Sequence, residues 1–204
     1  MSTVDDDQIE QLRRLWDRNG RLLVAVVVVA LAVVFGRTLY DRHQQREAVA
    51  AAALYAGFQK PDAGQTADAL ADQLRAEYPR SSYATFASLA QAKQAVEAGK
   101  PDLAEQRLRW VVDHSPESAD RALARLRLAR VLLDQGKAQN AAEVLNEDVP
   151  ATAPALQELR GDIAHAQGKT LDARQAYQEA LASLPAESGQ AAVIKLKLDA
   201  LGQP

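Results

Sequence analysis

The 204-residue chain contains no cysteine. That excludes disulfides, thiolate zinc sites and thiol nucleophiles together. It does not fix the compartment, since a cysteine-free domain suits a reducing or an oxidising space. Aromatic residues are few, at 5%. A basic surplus is also missing: 24 Lys+Arg stand against 27 Asp+Glu, a formal net charge of −3. Such a balance cannot neutralise phosphates, so nucleic acid is not an expected partner. The three histidines, His43, His114 and His165, are scattered. They form no His-x-x-x-His pair and no carboxylate–histidine cluster, and no glycine-rich phosphate loop occurs. No catalytic residue, metal ligand or cofactor is therefore expected, and the chain is read as a non-enzyme. Alanine, by contrast, is abundant. It is the best helix former and suits close helix approach.

One uncharged run stands out. Leu22 to Gly36 holds fifteen residues, rich in valine. Alone it would span about 22 Å as a helix, short of the roughly 30 Å hydrocarbon core. Extension to Tyr40 adds Arg37, which can snorkel from near the helix end. Trp16 and Tyr40 stand where an aromatic belt would lie. Residues 22–40 are thus expected to be a single transmembrane helix contacting membrane lipid, after an N-terminal segment 1–21 and before a linker or helix extension 41–47. A buried soluble helix and a signal peptide cleaved near Ala30-Leu31-Ala32 are the competing readings. Orientation is poorly encoded. Arg13, Arg14, Arg18 and Arg21 precede the run and Arg37, Arg42 and Arg46 follow it, a bare preference for the N-terminus inside. Residues 8–19 place Ile9, Leu12 and Trp16 on one helical face, either a surface helix or simply the flank of the anchor.

Beyond residue 47 the chain repeats. Gly-Lys recurs at 99–100, 136–137 and 168–169. After Gly168 come Ala173, Tyr177, Ala180 and Pro185. At matching offsets after Gly99 come Ala104, Leu108, Val111 and Pro116, and after Gly136 come Ala141 and Leu145. Seven residues before each glycine stands a small residue, Ala92, Ala129 or Gly161. This is the spacing of the tetratricopeptide repeat (TPR). Small residues lie where two antiparallel helices touch, glycine ends the first helix in a left-handed cap, and proline ends the second. A weaker copy keeps Tyr55, Ala67, Ala71, Leu74 and Pro79, with Asp62 and Ala63-Gly64 in place of the turn glycine. The third copy is damaged after Leu145 by Asp148, Pro150 and Pro154. The expectation for residues 48–204 is an all-α solenoid of about four helix pairs. A stretch from Gln190 to Leu201, with Ala191, Ile194, Leu198 and Leu201 on one face, would cap it.

First helices of such repeats line a concave face. The expected groove positions are Phe86, Leu89, Lys93 and Val96; Leu123, Leu126, Arg130 and Leu133; then Glu158, Asp162 and His165. The first two sets are apolar with one cation each, and the third is polar and acidic. This face could take an extended or helical segment of another protein. The alternative is that its leucines meet the anchor-proximal helix, the C-terminal helix or a second copy of the chain. The run Arg121, Arg125, Arg127, Arg130 is a solvated face or a site for an acidic C-terminal tail.

The whole chain resembles the bacterial YfgM family. The resemblance is carried by the acidic start, by Gln8-Ile9-Glu10-Gln11-Leu12-Arg13-Arg14-Leu15-Trp16 leading to Asn19-Gly20, and by the single apolar span. Within the repeats it is carried by Leu126-Arg127-Leu128-Ala129-Arg130-Val131, Leu159-Arg160-Gly161-Asp162, and Gly168-Lys169 with Ala173-Arg174. The resemblance implies an inner-membrane protein with a cytoplasmic N-terminus and a periplasmic TPR domain. It also implies an ancillary subunit of the SecYEG translocon that works with the periplasmic chaperone PpiD on secreted proteins emerging from the channel. A TPR scaffold for cell division or envelope assembly is the rival role, and an enzyme or its dedicated subunit the remote one.

Overall fold

The computed structural model describes residues 3–61, 64, 66–145 and 154–202, and in residues 3–23 the side-chain surroundings of Trp16, Gly20 and Leu22 only. All regular structure among them is helical: α1 (Thr3–Gln59), α2 (Ala67–Glu77), α3 (Ser82–Glu97), α4 (Pro101–His114), α5 (Ser118–Asp134), α6 (Ala138–Leu145), α7 (Pro154–Ala166), α8 (Thr170–Ala182) and α9 (Gly189–Ala200). Two compact units result, Met1–Ala50 and Ala51–Pro204.

Val24–Gln59, which begins in the first unit, is the one helical stretch among the described residues long and apolar enough to cross a membrane, and its apolar window buries nothing. Leu31, Val33 and Phe35 are exposed, as are Trp16 and Tyr40 towards the ends of the run. A valine-rich helix whose apolar window is unburied among the described residues is suited to lipid rather than water. Residues 41–47 continue the helix without a break. Side chains of Ile9 and Leu12 lie outside the described residues.

The second unit is built by local rules. At each Gly-Lys the glycine takes a positive φ: 66° at Gly99, 74° at Gly136 and 75° at Gly168. The following lysine amide then donates back five residues, as Lys100 N to Ala95 O at 2.8 Å, Lys137 N to Leu132 O at 2.8 Å and Lys169 N to Ala164 O at 2.9 Å. This double closure satisfies carbonyls that the helix end would orphan. Helix starts are set as locally. The hydroxyls of Thr66, Ser81 and Ser188 accept from the amides of Ala69, Ala84 and Ala191. Pro101 opens α4, where its missing N–H is no loss.

The helices pair as α3/α4, α5/α6 and α7/α8, each touching the next, and the first helices α3–α5 and α5–α7 also touch. A core cluster runs from Leu89 and Ala92 through Leu108, Leu128 and Leu132 to Leu156 and Leu159. Ala92, Ala104, Ala129, Ala141 and Ala173 are buried at the crossings. A side chain longer than alanine there would push the axes apart. The end of α1 and α2 form the weaker first pair. Ala51, Phe58, Leu70, Ala71 and Leu74 make its core, with Tyr55 packed against it. The small and large positions are exchanged in this pair. Tyr55 stands where later copies have Ala or Gly, and Ala71 where they have Leu or Tyr. Asp62, Ala63, Asp148 and Pro150 lie outside the described residues; α6 ends at Leu145 and α7 begins at Pro154.

Helix α9 closes the stack as the amphipathic spacing requires. Ala191 and Ile194 are buried, and Leu198 and Leu201 pack beside Tyr177 and Ala180. Between α2 and α3 lies a polar junction. The Arg75 guanidinium donates to Ser88 Oγ at 3.2 Å, to Gln91 Oε1 at 2.6 Å and to Asp72, while the Gln91 amide donates to Asp68 at 2.6 Å. Burial and the neighbouring Arg107 lower the Arg75 pKa, against the pull of Asp72.

Candidate partner-binding face

The face expected to bind a partner divides into four parts. At its start Phe86, 42% exposed, joins an aromatic group, with its ring centroid 6.3 Å from that of Tyr55. Tyr55 in turn lies 5.5 Å from Tyr83 and 5.8 Å from Phe58. With so few aromatics in the chain, the meeting of four at one end makes a local apolar surface.

Next, α3 and α5 enclose an open pocket of about 360 Å³. Its apolar lining includes Val96, Leu108 and Val131, and its charged lining includes Lys93, Arg127 and Arg130. Val96 is 49% exposed. Lys93, Val96 and Arg130 were expected on this face, and the fold brings them together. Arg127 was not expected there. The signal was available, because Arg127 and Arg130 are three apart on α5 and therefore neighbours on its surface.

Leu89 corrects one sequence-based assignment. It is only 9% exposed and packs in the core with Ala92 and Leu108, so its side chain is not available to a ligand. The reason is that α4 and α5 both close on α3. Leu126 and Leu133 are intermediate, packed partly against the same core, and Leu123 is 38% exposed.

The acidic part is already engaged. Lys197 of α9 donates to Glu158 Oε1 and Asp162 Oδ2, both at 2.7 Å, and the Gln190 amide donates to Glu158 at 3.0 Å. The Tyr177 hydroxyl donates to Asp162 at 2.8 Å. Burial raises the Glu158 pKa, but the bonds from Lys197 and Gln190 outweigh it and the carboxyl is held low. For Lys197, burial lowers the pKa, and Asp162 with Glu158 more than reverses that. The C-terminal helix thus meets this face at Glu158 and Asp162. His165 remains exposed. Spacing could not reveal this contact, because Lys197 stands 39 residues beyond Glu158.

The arginine run splits by role. Arg121 donates to the carbonyls of Ser115 at 2.8 Å and Pro116 at 3.0 Å, tying down the turn before α5. Arg125 is buried and lines a separate pocket of about 300 Å³ among α4, α5 and α6 with Arg109, Asp113 and Glu143. Only Arg127 and Arg130 face the α3–α5 pocket. Among the described residues no group of three or more His, Asp or Glu is placed to hold a metal ion.

Paired helices with glycine turns, alanine crossings and a ligand-sized gap between first helices define a TPR-like interaction domain. The tetratricopeptide repeat-like domain profile matches residues 13–203. A Neisseria gonorrhoeae protein named ancillary SecYEG translocon subunit is 31% identical over 202 residues, covering 97% of each chain. Proteins of the same name from Haemophilus influenzae and Escherichia coli are 26% and 25% identical, covering 96% and 88% of this chain and 97% and 88% of their own. No solved structure matches it significantly. The chain belongs to the YfgM family of ancillary SecYEG translocon subunits.

Proposed function

We propose that this protein is a non-catalytic adaptor of the inner membrane, anchored beside the SecYEG translocon by residues 22–40. Its N-terminus lies in the cytoplasm and its repeat domain, residues 48–204, in the periplasm. There it binds a PpiD-like chaperone, an emerging secreted chain, or both. The observation that carries the reading is the end-to-end match to named translocon subunits, joined to an unburied apolar helix and an open pocket between repeats. Tethering raises the local concentration of a binding face at the channel, so modest affinity per contact suffices. The contact is assigned to Phe86, Lys93, Val96, Leu123, Leu126, Arg130, Leu133 and His165.

The test is photo-crosslinking in intact cells from Val96 and Arg130, with mass spectrometry of the adducts. SecYEG components, a PpiD-like chaperone or secreted precursors are expected. Adducts confined to division or peptidoglycan proteins would replace this reading with that of a scaffold for another envelope process.

A further inference from the structure

The α3–α5 pocket has more character than a generic apolar groove. Lys93 is loosely paired with Glu97 at 3.7 Å. Arg127 and Arg130 make no hydrogen bond or ion pair among the described residues, although Arg130 exerts an attraction on Glu158. That carboxylate is already bonded to Lys197 and Gln190. Asp134 is the one other acid lining the pocket, so a positive surplus remains there. The surplus sits on a domain that is otherwise negative, with 17 Lys+Arg against 20 Asp+Glu from Ala48 onward. Beside the two guanidinium groups lies the half-exposed side chain of Val96, with the buried Leu108 and Val131 forming the floor. Two arginines three apart on one helix put their forks on one side, and guanidinium pairs carboxylate through parallel hydrogen bonds.

We infer that this pocket takes an acidic, apolar polypeptide segment, an aliphatic side chain resting on Val96 while a neighbouring carboxylate pairs with Arg127 and Arg130. The inference rests on the adaptor reading and narrows it: the pocket selects partners by carboxylates beside apolar residues, and a basic amphipathic segment is disfavoured.

The experiment uses the full-length chain in non-ionic detergent and fluorescence anisotropy of three short labelled peptides, alternating Leu-Glu, Leu-Gln and Leu-Lys. The Leu-Glu probe should bind about tenfold more tightly than Leu-Gln, since charge-assisted bonds are roughly twice as strong as neutral ones, and its advantage should shrink as salt rises. The double variant Arg127→Gln/Arg130→Gln should abolish that advantage, so that Leu-Glu and Leu-Gln bind alike. Should it lose helical content by circular dichroism, Arg130→Gln alone carries the comparison, with the advantage cut about threefold. Equal binding of Leu-Glu and Leu-Gln, tightest binding of Leu-Lys, or an advantage that survives in the variants overturns the assignment. Co-purification with SecYEG is scored separately. Lost selectivity with intact co-purification removes the pocket assignment and spares the adaptor reading, and selectivity without co-purification does the reverse.

Discussion

A methyl group placed on Gly161 would lie 2.3 Å from Cε1 of Tyr177. The glycine of α7 and the tyrosine of α8 share one space, and Tyr177 cannot swing away, being buried with its hydroxyl held by Asp162. In the two preceding pairs the same places hold Ala92 with Leu108 and Ala129 with Leu145. Gly161→Ala is therefore expected to destabilise by about 1–3 kcal/mol through overpacking. Adding Tyr177→Leu, which recreates the alanine–leucine pairing, should recover much of that loss despite removing one of the two hydrogen bonds to Asp162. Urea unfolding of the four chains of the double-mutant cycle measures the coupling. Additive losses would mean that the two residues do not compete for volume.

Gly136 needs its missing side chain for another reason. Nothing lies within 4 Å of a methyl group placed there, but its φ is 74°. Gly136→Ala should cost about 1 kcal/mol of backbone strain, and Gly136→Asn less, because asparagine tolerates the left-handed region. At Gly161 the order should invert, asparagine being worse than alanine. Thermal melts of the four variants decide this.

Docking of α9 should depend on pH at both ends. Glu158 has a lowered folded pKa, so its contribution is complete above the ordinary carboxylate range and lost as pH falls through the lowered value. Lys197 has a raised folded pKa, so its contribution is complete below the ordinary lysine range and lost as pH rises through the raised value. Stability of α9 should thus be flat across neutral pH, falling below about pH 4 and above about pH 10.5. Lys197→Met should remove roughly 1–3 kcal/mol at neutral pH by leaving two partly buried carboxylates unpaired. Amide exchange in α9 is the readout, and protection unaltered by Lys197→Met would remove the ion pairs from the account.

The anchor can be tested by charge. Val28→Arg with Leu31→Arg adds about 5–7 kcal/mol of insertion cost near the helix centre. The doubly substituted chain should leave the membrane pellet in carbonate extraction, whereas the natural chain stays. Retention of the variant would mean that something other than this helix holds the protein.

Leu128 of α5 is fully buried in the main core cluster. Leu128→Ala should cost about 2–5 kcal/mol. Val96→Ala, at a half-exposed position, should cost well under 1 kcal/mol. Equal losses at the two positions would contradict the division between core and binding face.

How far the amino-acid order carries this fold can be judged residue by residue. Gly99, Gly136 and Gly168 announce the turns because only a residue without Cβ takes a positive φ freely. Ala92, Ala129 and Gly161 announce the crossings because close helix approach tolerates only small groups. Both are properties of a residue and its near neighbours, so spacing alone exposes them. The first pair was faint because Tyr55 and Ala71 reverse the small and large positions of the later copies and no Gly-Lys marks its turn.

The binding face was legible only in outline. Periodicity assigns a residue to a side of a helix; it does not say how much of that side a neighbour covers. Leu89 and Val96 lie on the same expected side of α3, yet the first is core and the second half-exposed, since packed neighbours cover the one while the other opens into the α3–α5 pocket. Glu158 and Asp162 looked open until Lys197, distant in sequence, was brought to them by the folding-back of α9. Local conformation and helix pairing thus follow from chain order through backbone sterics and side-chain size. Which groups stay free to meet a partner was settled by long-range packing, because exposure belongs to neighbours that no spacing rule names.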